Sequence, residues 1–445
     1  MRKELSNWGK YPTIEANEIT DSSPDALRVS LLQSTTPFVP RGNGRCYGDA
    51  SLGANILSSL GFDRVLSFDH SLGIFECESG LILDQILDII VPHGWFLPVT
   101  PGTKFITIGG AVASDIHGKN HHVDGAFCDH VVEIELMLSN GDIITCSPLE
   151  NEELFEATRG GMGLTGFILR VKFKLKKIET SFISQVQVKA SNFFELMDLF
   201  HEYKGYTYTM SWIDCLKRGR HFGRGILMAG EHAAFGELSS RQKENIHKSF
   251  SNTLFTIPVD FPSFTLNRYT VRAFNFLYYK KNINKYLRNA VSYDSFFYPL
   301  DKILEWNRGY GKRGFLQYQF VLPMEACIQG MTDILTRIGH SGMGSFLAVF
   351  KVFGKQKSLI SFPMEGCTLA LDFPVRRNLF PFLDELDRIV LDYGGRLYLT
   401  KDARMKPEVF WRSYPGAQRF SELVKKYNPS YKFRSLQSDR LGVTG

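Results

Sequence analysis

No Cys-x-x-Cys pair occurs among the seven cysteines of this chain, and their spacing is irregular. That pattern argues against a disulfide framework and against structural zinc, and makes a reducing compartment the default. No apolar run approaches the length that crosses a bilayer. Met1-Arg2-Lys3-Glu4-Leu5 leads into polar sequence without the apolar stretch of a secretory signal. Together these absences point to a cytoplasmic protein, with membrane association left open. There is no strong excess of charge either: the net value is +6 over 445 residues. This is compatible with anionic ligands but is not the footprint of a nucleic-acid binder. Repeats and low-complexity segments are missing too. A chain 44% hydrophobic and 22% charged is not a disordered one.

What the chain does have is length for two or three domains and 36 phenylalanines, enough for a large core or an apolar pocket. Residues 1–35 read as a polar lead-in, and Thr36 to Pro40 as a strand feeding a glycine turn. Leu81 to Val91 has helical spacing and stops at Pro92-His93-Gly94. Val131 to Leu138, Asn140-Gly141 and Ile143 to Cys146 form a hairpin signal. Helix is expected over Glu152 to Arg159 and strand over Phe167 to Lys177. Beyond about residue 180 come several strands, among them Phe315 to Pro323, Phe346 to Phe353 and Thr368 to Phe373. A helix is expected from Phe380 to Leu391. A long aromatic, basic stretch runs from Phe255 to Arg288.

Three features bear on chemistry. Arg41-Gly42-Asn43-Gly44-Arg45-Cys46-Tyr47-Gly48-Asp49 places three glycines and two arginines where backbone N–H groups can converge on an anion. Pro101-Gly102-Thr103 and Thr107-Ile108-Gly109-Gly110-Ala111 supply small residues against which a flat ligand can pack. They lead into Asp115-Ile116-His117-Gly118-Lys119-Asn120-His121-His122. His117 and His121 have the spacing of a zinc pair, but Gly118 disfavours a helix and no accompanying glutamate stands in a His-Glu-x-x-His arrangement. No metal is expected. Gly161-x-Gly163-x-x-Gly166 matches a dinucleotide fingerprint in letters only. Here the order is helix, glycines, strand, the reverse of what a Rossmann site needs. Gln317 and Gln319 share one strand face by period-2 geometry. Asp372 lies in apolar surroundings and needs a partner; Lys351 is a candidate for that place or for a substrate phosphate. Each of these also has an ordinary reading, as strand amides or a structural ion pair.

The two glycine loops resemble the flavin-contact loops of the vanillyl-alcohol-oxidase/PCMH superfamily. The run Asp115 to His122 is similar to the decaprenylphosphoryl-β-D-ribose 2-oxidase branch within it. Tyr298 to Asp301, Glu305 to Arg308, Gly314 to Phe320 and Ser345 to Lys351 extend the likeness from about residue 36 to the end. The resemblance implies an α+β fold: a two-part PCMH-type FAD-binding domain plus an antiparallel-sheet substrate domain flanked by helices. The expected divisions are 1–178 for the FAD-binding domain, 179–395 for the substrate domain and 396–445 for a return to the first. It implies FAD held by Arg41, Gly42, Asn43, Gly44, Arg45, Cys46, Tyr47, Gly48, Gly102, Thr107, Ile108, Gly109, Gly110, His117, Gly118, Lys119, Asn120, His121, Ile168 and Tyr398. Arg45 stands where some relatives carry a histidine bonded to flavin, so the FAD is expected to be non-covalent. Tyr47, Lys119, Trp212, Gln317, Gln319, Lys351, Asp372 and Lys401 are implied at the substrate, with Lys401 and His117 catalytic.

The implied reaction is oxidation of a sugar secondary hydroxyl, at C2 of a pentose linked through phosphate to a polyprenyl chain. The reduced FAD would pass its electrons to oxygen or a quinone. An NAD(P)-dependent short-chain reductase would complete an epimerisation in cell-envelope polysaccharide synthesis. Ala370, Thr368 and Phe297 depart from the better-known members at pocket positions, which leaves the sugar open. Two alternatives stand: an aldonolactone or alditol oxidase on the same fold, and a flavin-binding protein without catalysis. The basic aromatic stretch fits an anionic lipid surface or a plain substrate-domain helix equally.

Overall fold

Three sheets organise the chain, and they meet around one cavity. The first has four strands in the order Arg2–Ser6, Thr13–Ile19, Asn55–Ser58, Val39–Arg41. The second has five, all antiparallel: Val65–Asp69, Ile74–Glu78, Phe167–Lys174, Val131–Met137 and Ile143–Cys146. The third is an eight-stranded antiparallel sheet. It runs Tyr286–Ser292, Phe182–Ala190, Gly225–His232, Tyr208–Ile213, Ala348–Phe353, Gly366–Pro374, Phe315–Pro323, Arg396–Leu397. This computed structural model describes residues 2–444 except 251, 252, 263 and 282. Ser263 and Asn282, inside the aromatic basic stretch, therefore lie outside the described residues. The architecture is α+β, as expected.

Local chemistry explains most elements. Gly141 takes φ +82° in the hairpin turn, a conformation that costs a residue with a Cβ. Helix Leu83–Ile90 buries Leu83, Ile86, Leu87 and Ile90 on one stripe and is halted by Pro92 and Gly94. The large sheet buries Phe320, Leu322, Leu369 and Leu371 against helices Cys327–Ser341 and Leu379–Asp392. Each such side chain contributes about 1.5–3 kcal/mol on leaving water. The glycine run at 160–166 follows helix Glu152–Thr158 and precedes strand Phe167–Lys174, so the reversed order excludes a Rossmann turn there.

Two expectations are corrected. Residues 1–35 are not a lead-in: they form two strands of the first sheet and helix Pro24–Gln33. These strands pair at the sheet's margin with mostly solvated side chains, so they carry little apolar alternation. The cysteines, whose number and spacing argue against a disulfide framework, include one disulfide, Cys327–Cys367, with Cα atoms 5.8 Å apart. Strand Phe315–Pro323 runs beside Gly366–Pro374, pairing Leu322 with Cys367, and then turns into the helix that begins at Cys327. Cys46, Cys77, Cys128, Cys146 and Cys215 are free. Among the described residues no helix is long and apolar enough to cross a membrane.

Candidate active site

A cavity of about 500 Å³ lies where both glycine loops, the 160–168 turn, the large sheet and the 398–401 loop converge. The first loop is tied down from several sides. Arg41 donates to the Ser6 carbonyl at 2.9 Å and to Asn7 Oδ1, and Asn43 Nδ2 donates to the Phe105 carbonyl at 2.8 Å. The Trp8 N–H donates to the Cys46 carbonyl at 2.9 Å. Gly42 passes so close to the second loop that a Cβ there would sit 2.2 Å from Thr107 Oγ1. Gly48 does the same against the C-terminal segment, where a Cβ would sit 1.7 Å from the Asp402 carbonyl oxygen. The glycines at these two places are required by contact rather than by turn geometry.

The loop bearing His117 is fixed by a buried ion network. Asp115 accepts from Arg159 Nε at 2.8 Å, from Ser361 Oγ at 2.6 Å and from the Cys128 N–H at 2.9 Å. Arg159 also pairs with Asp129 at 2.6 Å. His117 Nε2 lies 3.2 Å from Gln319 Nε2, and its ring packs among Phe353, Phe362 and Tyr398. With Gln319 as donor, Nε2 accepts and the proton sits on Nδ1, which is buried and has no partner among the described residues. Burial, with Lys351, His121 and Lys401 adding repulsion, holds the imidazole pKa well below its usual value and keeps the ring neutral.

Strands of the large sheet present the remaining groups. Asp372 accepts from Gln317 Nε2 at 2.7 Å and from the Tyr310 hydroxyl at 3.2 Å. Burial pushes its carboxyl up to about 7, against the pull of Gln317 and Lys401. Lys401 Nζ stands 3.7 Å from the centre of the Tyr47 ring. Burial lowers its pKa to about 7, opposed by Asp372 and Cys46 and assisted by Lys351. Lys351 is pushed down to about 8 by burial alone. It makes no ion pair among the described residues, so it is not the partner of Asp372 that was expected; Gln317 and Tyr310 fill that place.

Not every expected site residue reaches the cavity. Arg41, Gly42, Asn43, Gly44, Arg45, Cys46, Tyr47, Gly102, Thr107, Gly109, Gly110, His117, Ile168 and Tyr398 line it, as do Gln317, Gln319, Lys351, Asp372 and Lys401. Gly48, Ile108, Gly118, Lys119, Asn120, His121 and Trp212 stand behind this lining. Lys119 Nζ donates to the Phe297 carbonyl at 3.3 Å and lies over the Phe296 and Phe297 rings. His121 Nε2 is bonded to Gln356 at 2.9 Å, so His117 and His121 serve different neighbours. Trp212 donates to the Phe346 carbonyl at 3.0 Å. Sequence reasoning gave no role to Trp8, which lines the cavity, nor to Arg159 and Arg440, which anchor its loops. Nothing in their local sequence sets them apart from surface residues.

Comparison with known proteins agrees with this geometry. Residues 27–147 match the FAD binding domain family. The chain is 36% identical, over 99% of its length and 97% of the relative's, to decaprenylphosphoryl-β-D-ribose oxidase of Mycolicibacterium smegmatis. The chain belongs to the decaprenylphosphoryl-β-D-ribose oxidase family. As a member, it is an FAD-dependent oxidoreductase. An uncharacterized Streptomyces coelicolor protein is 30% identical over 82% of this chain and all of its own length. A putative D-arabinono-1,4-lactone oxidase of Neurospora crassa is 30% identical over 30% of this chain. The cavity suits FAD on its own terms. It has two glycine-lined walls that a Cβ would crowd and four basic side chains, Arg41, Arg45, Lys351 and Lys401, for the anionic part of the cofactor. Of the three positions that the sequence singled out as pocket variants, Ala370 lines the cavity and Thr368 accepts from Gln319 Nε2 at 3.4 Å. Phe297 instead packs behind it.

Proposed function

We propose that this family member oxidises a secondary hydroxyl of a pentose carried on a polyprenyl phosphate, C2 of a ribose unit, to the ketone. The observation that carries the reading is the pairing of two kinds of group in one cavity. Gln317 and Gln319 offer an amide pair that suits sugar hydroxyls, and Lys351 offers a basic group at the cavity wall with no counter-ion among the described residues. An anionic substrate would satisfy the latter.

Bound FAD supplies the two-electron acceptor for the hydride leaving the carbinol carbon. The chain's own residues do the rest. Lys401, neutral above about pH 7, takes the hydroxyl proton as the C–H bond breaks. The ammonium so formed faces the Tyr47 ring and the charge of Asp372, both of which favour it. His117, neutral and held by Gln319, forms part of the cavity wall beside the reacting centre. Asp372 keeps Gln317 aimed through their bond. The FAD is expected to be held non-covalently, because Arg45, a side chain that forms no bond to flavin, stands where some relatives carry the linking histidine; its guanidinium lies 4.1 Å from the centre of the Trp8 ring. Acid precipitation is expected to leave the flavin in the supernatant. A short-chain reductase using NAD(P)H would then return the keto sugar to the epimeric alcohol.

An aldonolactone oxidase is the second reading, favoured by the Neurospora relative. A neutral lactone gives Lys351 nothing to pair with. The two separate in a trapping experiment. Turnover of a polyprenylphosphoryl ribose followed by borodeuteride reduction is expected to place deuterium at C2. Absence of deuterium there, with L-aldonolactones consumed, would overturn the first reading.

A further inference from the structure

Between Asp260 and Asp294 the chain carries Arg268, Arg272, Lys280, Lys281, Lys285 and Arg288 and no carboxylate; Lys285 and Arg288 pair with Glu195 and Glu237, and the other four lie on one helix. Helix Arg268–Lys281 is the centre of this stretch. Its inner face is Val271, Asn275 and Tyr278. Asn275 donates to Asp214 at 2.9 Å, and Tyr278 packs on Trp212 at 4.8 Å between ring centres. Its outer face repeats at helical spacing through Tyr269, Arg272, Phe276, Leu277 and Lys280. Tyr269, Phe276 and Leu277 are 70%, 49% and 66% exposed. Leu254, Val259, Phe264 and Ile283 extend exposed apolar surface on either side along the chain.

A surface helix ordinarily turns its rings inward and its charges outward. This one turns both outward, and every charge on it has the same sign. Large apolar side chains grouped on the exposed face of one helix mark a surface that something covers. The coverer must be anionic, to answer the arginines and lysines, and must also take up aliphatic and aromatic side chains. Nucleic acid meets the first demand and offers Leu277 and Ile283 nowhere to go. An anionic lipid surface meets both.

The face is also joined to the cavity. Phe274, on the same helix, contacts Phe346 at 5.3 Å; Phe346 stacks on Tyr310 at 5.7 Å, Tyr310 on Phe315 at 4.1 Å, and Phe315 meets Tyr47 at 5.4 Å. Thr256, between exposed Phe255 and Val259, lines the cavity itself.

We propose that the outer face of helix Arg268–Lys281, with the apolar side chains flanking it, seats on the surface of an anionic bilayer. It thereby holds the cavity beside the membrane that would carry a polyprenyl-linked sugar, a consequence that rests on the function proposed above.

The test is flotation of the flavin-loaded full-length protein with vesicles of phosphatidylcholine, alone or mixed with phosphatidylglycerol. Binding is expected only with phosphatidylglycerol present, and is expected to weaken with salt. Arg272→Gln and Lys280→Gln should each lower the affinity about fivefold, and Leu277→Asp should abolish flotation. All three side chains are exposed, and retained flavin colour reports that each variant is folded. Equal binding to both vesicle types, or variants that float like the parent, would overturn the proposal. So would self-association in sedimentation velocity that Leu277→Asp removes, with no vesicle binding; the face would then belong to a second copy of this chain. A ribosyl phosphate with a short, water-soluble chain separates the two readings. Flavin reduction by it, in parent and variants alike but without vesicle binding, sinks the docking surface and leaves the function intact. Vesicle binding as expected, with no reduction by either long- or short-chain ribosyl phosphate, keeps the docking surface and sinks the ribose reading.

Discussion

The Lys401 ammonium sits 3.7 Å above the Tyr47 ring, although the two residues come from opposite ends of the chain. Three contacts enforce the approach. The Tyr47 N–H donates to the Thr400 carbonyl at 3.0 Å. Gly48 lies flat against Asp402. Arg440 reaches Asp49 and Asp402 together, at 2.8 Å each. The lysine is thus held at the cavity wall beside a ring face. Burial favours its neutral form before proton transfer, and the ring and Asp372 favour the cation afterwards.

Replacing this lysine tests its role as the proton acceptor. Lys401→Met is expected to retain FAD and to slow flavin reduction by about 10²–10⁴-fold. In the parent, the rate should rise with pH through about 7 and then level. Below that point Lys401 holds its proton and cannot accept another, and Asp372, pushed up to about 7, is also protonated. Asp372→Asn removes a charge that raises the lysine's pKa, so the rising limb should move to lower pH. Stopped-flow reduction across a pH series checks both.

Gly48→Ala would drive a methyl group into the Asp402 carbonyl. The two loops must part, carrying Lys401 away from Tyr47. The expected loss in reduction rate is about 10²-fold, the scale of a roughly 1 Å misplacement. A rate equal to the parent's would show that this contact does not position the lysine.

Much of this was legible in sequence. The hairpin at Asn140-Gly141, the strand with Gln317 and Gln319 on one face and the reversed order at Gly161 to Gly166 all follow from local spacing. The flavin loops are legible because small residues and cations crowd into two short runs. What escaped has no local period. Trp8 reaches the cavity from the turn that follows a polar edge strand, Tyr310 meets Asp372 across the site, and Cys327 meets Cys367 where a strand turns into a helix. Lys119 looks like a site residue in the run that contains it, yet its ammonium is taken up by Phe296 and Phe297. Which way a loop residue turns is decided by packing that its neighbours in sequence do not encode.

The loop bearing His117 rests on Arg159. Arg159→Met leaves Asp115 buried without its cation, and removing one partner of a buried pair costs about 3–5 kcal/mol. Chemical denaturation is expected to show a loss on this scale, together with weaker retention of FAD. A variant as stable as the parent would mean the network is dispensable.

Lys351→Met separates binding from chemistry. Losing a charge-assisted contact of about 1.5–3 kcal/mol should raise the KM for a phosphate-bearing substrate about 10- to 100-fold. The rate at saturation should change little. Steady-state kinetics with phosphorylated and unphosphorylated sugars would show whether the penalty follows the phosphate. An equal penalty on both would place the phosphate elsewhere.

The central claim, oxidation of a lipid-linked ribose by bound FAD, is tested most directly by absorbance under anaerobic conditions. The spectrum of the purified flavoprotein is recorded before and after addition of a polyprenylphosphoryl ribose analogue. Bleaching of the yellow flavin band by this compound, and not by its 2-deoxy counterpart, is the expected result. A band that persists with the ribose analogue but bleaches with an aldonolactone or alditol would contradict the claim.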